Sequence, residues 1–142
     1  MVKKWKGSYN YDSQKAQELI GHPCTFFTIE MEIFENDTLK GIVIDDLKTG
    51  GMKGTGEVTG EIFRNSIYFE KRMPHNSMLD LRKGRREFPD KKHPVIIYEG
   101  ELKSNNKYEG TWCFEKKWAF LFGFIPIKYS PGKGTWEMEL EN

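Results

Sequence analysis

The stretch that decides the fold is Tyr108-Glu109-Gly110-Thr111-Trp112, in which a glycine stands two positions from a large apolar residue on either side. Residues two apart in a strand point to the same face, so Tyr108, Gly110 and Trp112 share an apolar face. Glu109 and Thr111 share the opposite, polar face. The stretch therefore predicts a half-buried β-strand with a glycine at the centre of its buried face.

The same spacing recurs in residues 5–9, 39–43, 58–62 and 98–102. A glycine inside a strand weakens the strand, but it suits a place where the sheet bends sharply or where a neighbouring aromatic ring covers the gap. Five such glycines in five segments predict a sheet that is strongly coiled throughout. A small closed barrel requires that curvature, and its closure also removes exposed sheet edges.

Alternating apolar and polar residues between turn signals predict eight strands. Their approximate bounds are 5–11, 25–35, 39–46, 54–63, 66–72, 95–103, 107–115 and 133–140. Apolar residues at helical spacing within 12–21, after a capping Asp12 or Ser13, predict one short helix that ends at His22-Pro23. The fold class is thus all-β, an antiparallel up-and-down eight-stranded β-barrel with one short helix near the N-terminus. An incomplete barrel or a sandwich of the same strands is the alternative.

Length and composition indicate one domain that spans residues 1–142. The chain has 22 basic and 21 acidic residues, so its net charge of +1 gives no overall attraction to nucleic acid or membrane. Cys24 and Cys113 form neither a disulfide framework nor a zinc pattern, and no apolar run follows the basic N-terminus. We therefore expect a cytoplasmic protein with free thiols, and no segment is apolar for long enough to span a membrane.

Three features together resemble the calycin-type barrels, the group of lipocalins, fatty-acid-binding proteins and avidins. They are the opening Trp5-x-Gly7-x-Tyr9, the meander of eight strands, and the pair Tyr108-x-Gly110-x-Trp112 and Gly134-Thr135-Trp136. The order of Trp5 and Gly7 reverses the Gly-x-Trp of lipocalins. The chain is more similar to the small uncharacterised lipocalin-like barrels of bacterial cytoplasm. The resemblance covers residues 4–140 and implies a single lipocalin-like barrel.

Inward positions of the predicted strands supply the candidate ligand-binding residues. Tyrosine and tryptophan can line a pocket with apolar walls and a few polar tips, which suits a small, largely apolar ligand. An eight-stranded barrel can equally be filled by its own side chains, and the central glycines favour free volume. The candidate ligand-binding residues are Tyr9, Phe69, Lys71, Tyr98, Tyr108, Trp112 and Trp136.

Two charged residues, Asp45 and Lys71, continue the inward registers of their strands. A charge inside a barrel is costly unless it is paired. A buried Asp45–Lys71 pair, or either residue facing a charged group of a ligand, would explain both positions. The alternative, which we favour at this stage, places each side chain at a strand end in water.

Two connections are unusual in composition. Residues 82–93 are basic, which suits an anionic ligand, although such charge runs are usually solvated loops and we favour that interpretation. Residues 118–127 are almost wholly apolar, which predicts a lid, a dimer interface, a membrane-surface contact or a hairpin packed against the barrel. We favour the lid or the homodimer interface and expect no membrane contact. The candidate homodimer contacts are Trp118, Phe120, Phe122 and Phe124.

The chain has no nucleophile motif, no P-loop and no dinucleotide-binding fingerprint. None of His22, His75 and His93 occupies a predicted inward strand position, so we assign no haem ligand, no metal, no other cofactor and no catalytic residue. Aromatic residues are sparse in the basic segment, so nucleic-acid binding is not expected. These observations favour a ligand-binding module over an enzyme. A filled barrel that acts as a structural or self-associating module through residues 118–127 is the alternative.

Overall fold

The computed structural model describes residues 1–74, 76–80, 84–88, 94–115, 117–129 and 132–141, with the backbone alone in 76–80, 84–88, 117–121 and 127–129. Twelve strands and one α-helix follow one another along these residues. They are β1 (Val2–Tyr11), α1 (Gln14–Ile20), β2 (Thr25–Ile33), β3 (Thr38–Asp45), β4 (Thr55–Phe63), β5 (Ser66–Arg72), β6 (Asn76–Asp80), β7 (Gly84–Phe88), β8 (Ile96–Ser104), β9 (Lys107–Phe114), β10 (Lys117–Leu121), β11 (Ile125–Tyr129) and β12 (Lys133–Leu140).

Eight of these strands form a closed antiparallel barrel in the order β1-β12-β9-β8-β5-β4-β3-β2. Strand β1 closes the barrel by pairing with β2 on one side and with β12 on the other, where Tyr9 lies opposite Trp136. Every strand pairs with its neighbour in the chain once the β6–β7 and β10–β11 pairs are set aside. The predicted up-and-down eight-stranded barrel with one helix near the N-terminus is confirmed.

The two ends of the barrel differ in how the strands are joined. At one end, which we call the turn end, short turns connect β2 to β3, β4 to β5 and β8 to β9. At the other, the connection end, four longer segments cross between strands. They carry α1, the 3-10 turn Leu47–Thr49, the β6–β7 hairpin and the β10–β11 hairpin. The barrel therefore has one end with short turns only and one end that four longer connections cross.

Helix α1 begins where the sequence predicts it. The Ser13 hydroxyl oxygen accepts a hydrogen bond from the Ala16 amide at 3.2 Å, which satisfies one free amide of the first turn. The helix ends at Gly21, whose left-handed backbone (φ 81°) closes the last turn, rather than at His22-Pro23 as expected. Ala16 is buried, so the helix packs by a small contact.

The central glycines are required by close approach between strands. A Cβ atom at Gly110 would collide with the carbonyl oxygen of Glu99, and one at Gly134 with that of Asn10. The expectation that these glycines leave free volume is wrong, because neighbouring strands and aromatic rings occupy the space beside them. The sheet can coil this tightly only where no side chain stands between adjacent backbones.

Strand β3 buries only one face, since Leu39 and Val43 are buried while Ile42 and Ile44 are exposed. The two long connections each contain a two-stranded sheet separate from the barrel. A hairpin was one of the alternatives for residues 118–127, and its strands are β10 and β11.

Candidate functional site

The residues expected to line the lumen do face the barrel interior. Each of the seven is at most 7% exposed, and Phe69 and Lys71 are 1% exposed. Their burial confirms the inward orientation. The orientation could be predicted because side chains of a half-buried strand alternate between its two faces. A ligand-binding role for them stays a prediction. The seven are Tyr9, Phe69, Lys71, Tyr98, Tyr108, Trp112 and Trp136.

Aromatic rings pack against one another across the middle of the lumen. Phe69 stacks on Tyr98 with ring centroids 4.7 Å apart, and the rings of both lie 5.5 Å from that of Trp136 at steep angles. Phe27 meets Tyr98 at 6.4 Å. These are contact distances for aromatic pairs. Between Phe69, Tyr98 and Trp136 the interior is therefore occupied by the side chains themselves.

The indole N–H groups of two tryptophans are hydrogen-bonded to backbone carbonyls of the barrel strands. The Trp112 indole N–H donates to the carbonyl of Asn10 at 2.9 Å. The Trp136 indole N–H donates to the carbonyls of Thr111 at 2.9 Å and Glu99 at 3.1 Å. Each indole reaches these carbonyls beside a glycine. We call this group the tryptophan–glycine wall, formed by Gly100, Gly110, Trp112, Gly134 and Trp136.

Three polar side chains meet inside the barrel and form what we call the polar cluster, Tyr9, Asp45 and Lys71. The Lys71 Nζ lies 2.7 Å from Asp45 Oδ1, and the two side chains are 1% and 0% exposed. The Tyr9 hydroxyl donates to Asp45 Oδ2 at 3.0 Å, and the Met52 amide donates to the same oxygen at 3.2 Å. The buried pair that the sequence allowed is present, and the favoured alternative, strand ends in water, is wrong.

The ammonium group of Lys71 is surrounded by aromatic rings. Its Nζ lies 4.9 Å from the ring centroid of Tyr9 and 5.9 Å from those of Phe27 and Tyr98. Ring faces attract a cation, and the attraction is stronger where water is excluded. Asp45 and the three rings together compensate for the burial of the lysine charge.

The phenols beside the pair are held in their protonated form. Burial is the main cause that raises the pKa of Tyr9 well above its ordinary value, and the Asp45 carboxylate adds to the effect. Burial likewise raises the pKa of Tyr98 well above its ordinary value, with Asp45 again contributing. Both phenols therefore keep their protons at physiological pH, and that of Tyr9 is donated to Asp45.

The polar cluster lies toward the connection end. Asp45 is the last residue of β3, and Lys71 precedes the last residue of β5. The β3–β4 connection folds over the pair, where Met52 is buried and a Cβ at Gly51 would collide with that of Asp45. Thr25 anchors the connection by donating its hydroxyl to the Thr49 carbonyl at 2.8 Å. A short loop, and not the barrel wall, separates the cluster from solvent at this end.

Sequence reasoning missed the role of the β3–β4 connection and the link from Tyr9 to Asp45. The paired glycines Gly50 and Gly51 were the available signal, because such residues allow a backbone to approach a buried group closely. Nothing local indicates that Tyr9, which lies 36 residues before Asp45, bonds to it. Tyr9 and Asp45 lie on β1 and β3, which β2 separates, so the two side chains meet through the inward curvature of the sheet and not through direct strand pairing.

An open concavity of about 950 Å³ lies on the outer surface of the barrel, across β1, β12, β9, β8, β5 and β4. Glu101 lies opposite Glu109, and Glu109 opposite Glu137, so three carboxylates form one row across three strands. Lys107 bridges two of them, with its Nζ 3.5 Å from Glu109 and 3.4 Å from Glu137. These carboxylates, Glu137 first, raise the pKa of Lys107. Most of the residues that line the concavity are polar, although the buried residues Tyr9, Ile67 and Trp136 also contribute to it.

The two unusual connections are described only in part. Phe122 and Phe124, at the tip of the β10–β11 hairpin, are 83% and 73% exposed. The side chains of Trp118 and Phe120 lie outside the described residues, as do 82–83, 89–93 and His75. A homodimer through the apolar segment and an anion site in the basic segment thus stay predictions.

Within the described part of the chain, no group of three or more His, Cys, Asp or Glu side chains could hold a metal ion. None of the described helices has the length and apolar character needed to cross a membrane. No family model, no curated protein and no solved structure matches this chain. The eight-stranded antiparallel barrel is consistent with a calycin-like fold.

Proposed function

We propose that this lipocalin-like barrel binds a small, largely apolar ligand in its lumen, beside the polar cluster at the connection end. One observation carries the proposal: a charged pair, Asp45 and Lys71, is fully buried among aromatic rings beneath a short loop. A buried ion pair contributes little to stability, and replacing it with packed apolar residues is often neutral or favourable. Its presence in an otherwise apolar interior therefore supports a role in binding.

The chemistry of the polar cluster limits which kinds of ligand can bind there. Lys71 and Asp45 neutralise each other, so a charged ligand would bring an uncompensated charge into the interior at high cost. A neutral ligand with one hydrogen-bond acceptor, such as a carbonyl oxygen, can accept a hydrogen bond from the Lys71 ammonium group without that cost. The rings of Phe69, Tyr98 and Trp136 occupy the middle of the lumen, which limits the ligand to a small molecule at one end.

Access is through the β3–β4 connection in this proposal. The Met52 amide holds the connection to Asp45 by one hydrogen bond, and a net contribution of about 1 kcal/mol is typical for such a bond. Displacing this contact together with the buried Met52 side chain and the Thr25–Thr49 hydrogen bond opens a path to the polar cluster without breaking the ladder of the barrel. The thiols of Cys24 and Cys113 are free, which supports a reducing compartment such as the cytoplasm for this function.

The test compares three probes of similar size and different polarity: acetophenone, ethylbenzene and benzoate. Acetophenone is expected to bind best, because only it combines an apolar body with a neutral acceptor. Amide-resolved NMR titration should show the largest shifts at Met52 and around Lys71. The double variant D45N/K71M keeps the site neutral and should weaken acetophenone binding about tenfold.

A matched control is K103M, which makes the same change at a half-exposed lysine of β8 outside the barrel. It should bind acetophenone as the native protein does. If acetophenone shifts no interior resonance, or if D45N/K71M binds it with native affinity, the ligand site is not at the polar cluster.

The competing function is a filled barrel that acts as a self-associating module through residues 118–127. It is favoured by the exposure of Phe122 and Phe124. It predicts that none of the three probes binds and that concentrated protein sediments as a dimer, so the same preparation separates the two functions.

A further inference from the structure

The β10–β11 hairpin has a marked order of residue types from base to tip. In its ladder Lys117 lies opposite Tyr129, and Trp118 opposite Lys128. From 119 to 127 the chain is then apolar apart from the turn glycine. Lysine, tryptophan and tyrosine at one level, followed by phenylalanine, leucine and isoleucine, is the composition typical of a segment that enters a lipid interface.

The tip of this hairpin is exposed to solvent. Phe122 is 83% exposed, Phe124 73% and Ile125 42%. Single exposed apolar residues are ordinary, but adjacent exposed aromatic residues at a tip mark an interaction surface. The tip is therefore available for contact with a partner outside this molecule.

The backbone at the tip does not favour the residues found there. Phe122 has φ 53° and Gly123 has φ 81°, both in the left-handed region. Glycine or asparagine suits such positions, whereas a bulky residue costs about 1–2 kcal/mol. Phe122 thus works against the stability of its own turn, and this kind of strain points to a role other than folding.

Formal charge is distributed unevenly along the sequence. Segment 116–133 has four lysines and no acidic residue, and segment 73–94 has six basic and three acidic residues. These two segments therefore carry +4 and +3, whereas the whole chain carries +1 and the remainder −6. Both segments leave the barrel at the connection end. The two segments are therefore strongly cationic in sequence although the chain as a whole is nearly neutral.

We propose that the β10–β11 hairpin docks the protein on an anionic lipid surface. Phe122 and Phe124 enter the acyl region to a depth of about 5–10 Å, as apolar faces of interfacial segments do. Lys117 and Lys128 lie five and four residues from Phe122 and Phe124, about 14–17 Å along the strands, at the level of the anionic head groups. The edges of the two-stranded ladder stay near the head groups, where water satisfies their free backbone groups.

Charge favours a lipid surface over a second copy of this chain. Two symmetric hairpins that met tip to tip would bring together two segments with four lysines each and no acid. Like charges at an interface oppose association. An anionic bilayer has negative head groups outside and an apolar interior beneath them. The hairpin matches this order, with lysines at its base and phenylalanines at its tip.

The test is co-sedimentation of the full chain with vesicles of phosphatidylcholine alone and of equimolar phosphatidylcholine and phosphatidylserine. The native protein should pellet with the anionic vesicles and remain in solution with the neutral ones. The variant F122S/F124S should lose about 100-fold or more in affinity, because two phenylalanine side chains no longer enter the bilayer. The variant K117A/K128A should lose about tenfold or more on anionic vesicles.

Matched controls exist on the barrel. F63S changes a phenylalanine that is 69% exposed at the turn end, and K103A removes a lysine from the outside of β8; both should pellet as the native protein does. Equal pelleting of native protein and F122S/F124S overturns the proposal. So does a native protein that ignores anionic vesicles but sediments as a dimer until Phe122 and Phe124 are replaced, since the occupant is then a second copy. Acetophenone binding is independent of either result.

Discussion

The tryptophan–glycine wall and the polar cluster are both buried in one lumen, and they are built from opposite chemistry. In the wall, Trp136 gives its indole N–H to two backbone carbonyls, and Gly110 lets adjacent strands approach. In the cluster, Asp45 and Lys71 bond to each other and to side chains of distant strands. The wall allows adjacent strands to pack closely, whereas the cluster adds a buried charged pair that this packing does not require. The difference separates structure from candidate function.

The largest effect is expected from G110A, which breaks the wall at one of its two tightest points. The new Cβ would collide with the Glu99 carbonyl oxygen and crowd Gly100, and neither backbone can move without disturbing two strands. We expect a loss of more than about 4 kcal/mol in the free energy of unfolding, or no folded protein. G21A is the control, because nothing lies within 4 Å of its Cβ and only its φ of 81° is strained. Urea denaturation should show a loss of about 1–2 kcal/mol for G21A.

The next effect comes from breaking the polar cluster on one side. K71M leaves the Asp45 carboxylate buried and unpaired, so we expect a loss of about 3–5 kcal/mol. D45N/K71M removes both charges and keeps an acceptor for Tyr9 and Met52, so its stability should return to within about 1 kcal/mol of the native value. If K71M unfolds at the native urea concentration, the pair is not buried in solution.

A pair of tryptophan variants sharpens the comparison within the lumen. W136F loses an indole N–H that serves the Thr111 and Glu99 carbonyls, whereas the buried Trp5 indole N–H has no partner among the residues that the structure describes. Both changes remove similar volume, so the difference isolates the hydrogen bonds. We expect W136F to be less stable than W5F by about 1–3 kcal/mol. Thermal unfolding followed by circular dichroism measures it, and equal losses would contradict the assigned role of the Trp136 indole.

The smallest effect is the pH dependence of the cluster. Burial and Asp45 raise the pKa of Tyr9 in the folded state, so the folded protein holds the phenolic proton more tightly than the unfolded chain. The stability from this shift is complete below the unfolded pKa of about 10 and is lost as pH rises toward the folded pKa.

Urea denaturation between neutral pH and strong alkali should show the native protein losing stability above about pH 10 more steeply than Y9F. Tyr98 keeps part of the slope in both proteins, because burial raises its pKa too. Y68F is the control on the outer surface: burial and Glu70 raise the pKa of Tyr68 too, but less than that of Tyr9, so Y68F should reduce the slope less than Y9F. Parallel curves for the native protein and Y9F would show that Tyr9 titrates normally.

Much of the fold could be predicted because its signals are local. The alternation of apolar and polar residues predicted the inward face of each barrel strand. The glycine at the centre of Tyr108–Trp112 predicted the curvature of the sheet. The helix start at Ser13 followed from a capping side chain. A hairpin was only one of several alternatives for residues 118–127, and the hairpin at 76–88 was not predicted, since two short strands outside a large sheet carry too little pattern.

The sequence by itself determined which residues face inward, where the strands end and that the sheet must coil. Only the tertiary structure decided that Lys71 meets Asp45, 26 residues away, and that Tyr9 joins them from the first strand. It also decided that rings fill the middle of the lumen and that Phe122 and Phe124 stand in solvent. The reason is that a side chain's direction depends on its own strand, whereas its partner depends on how the whole barrel closes.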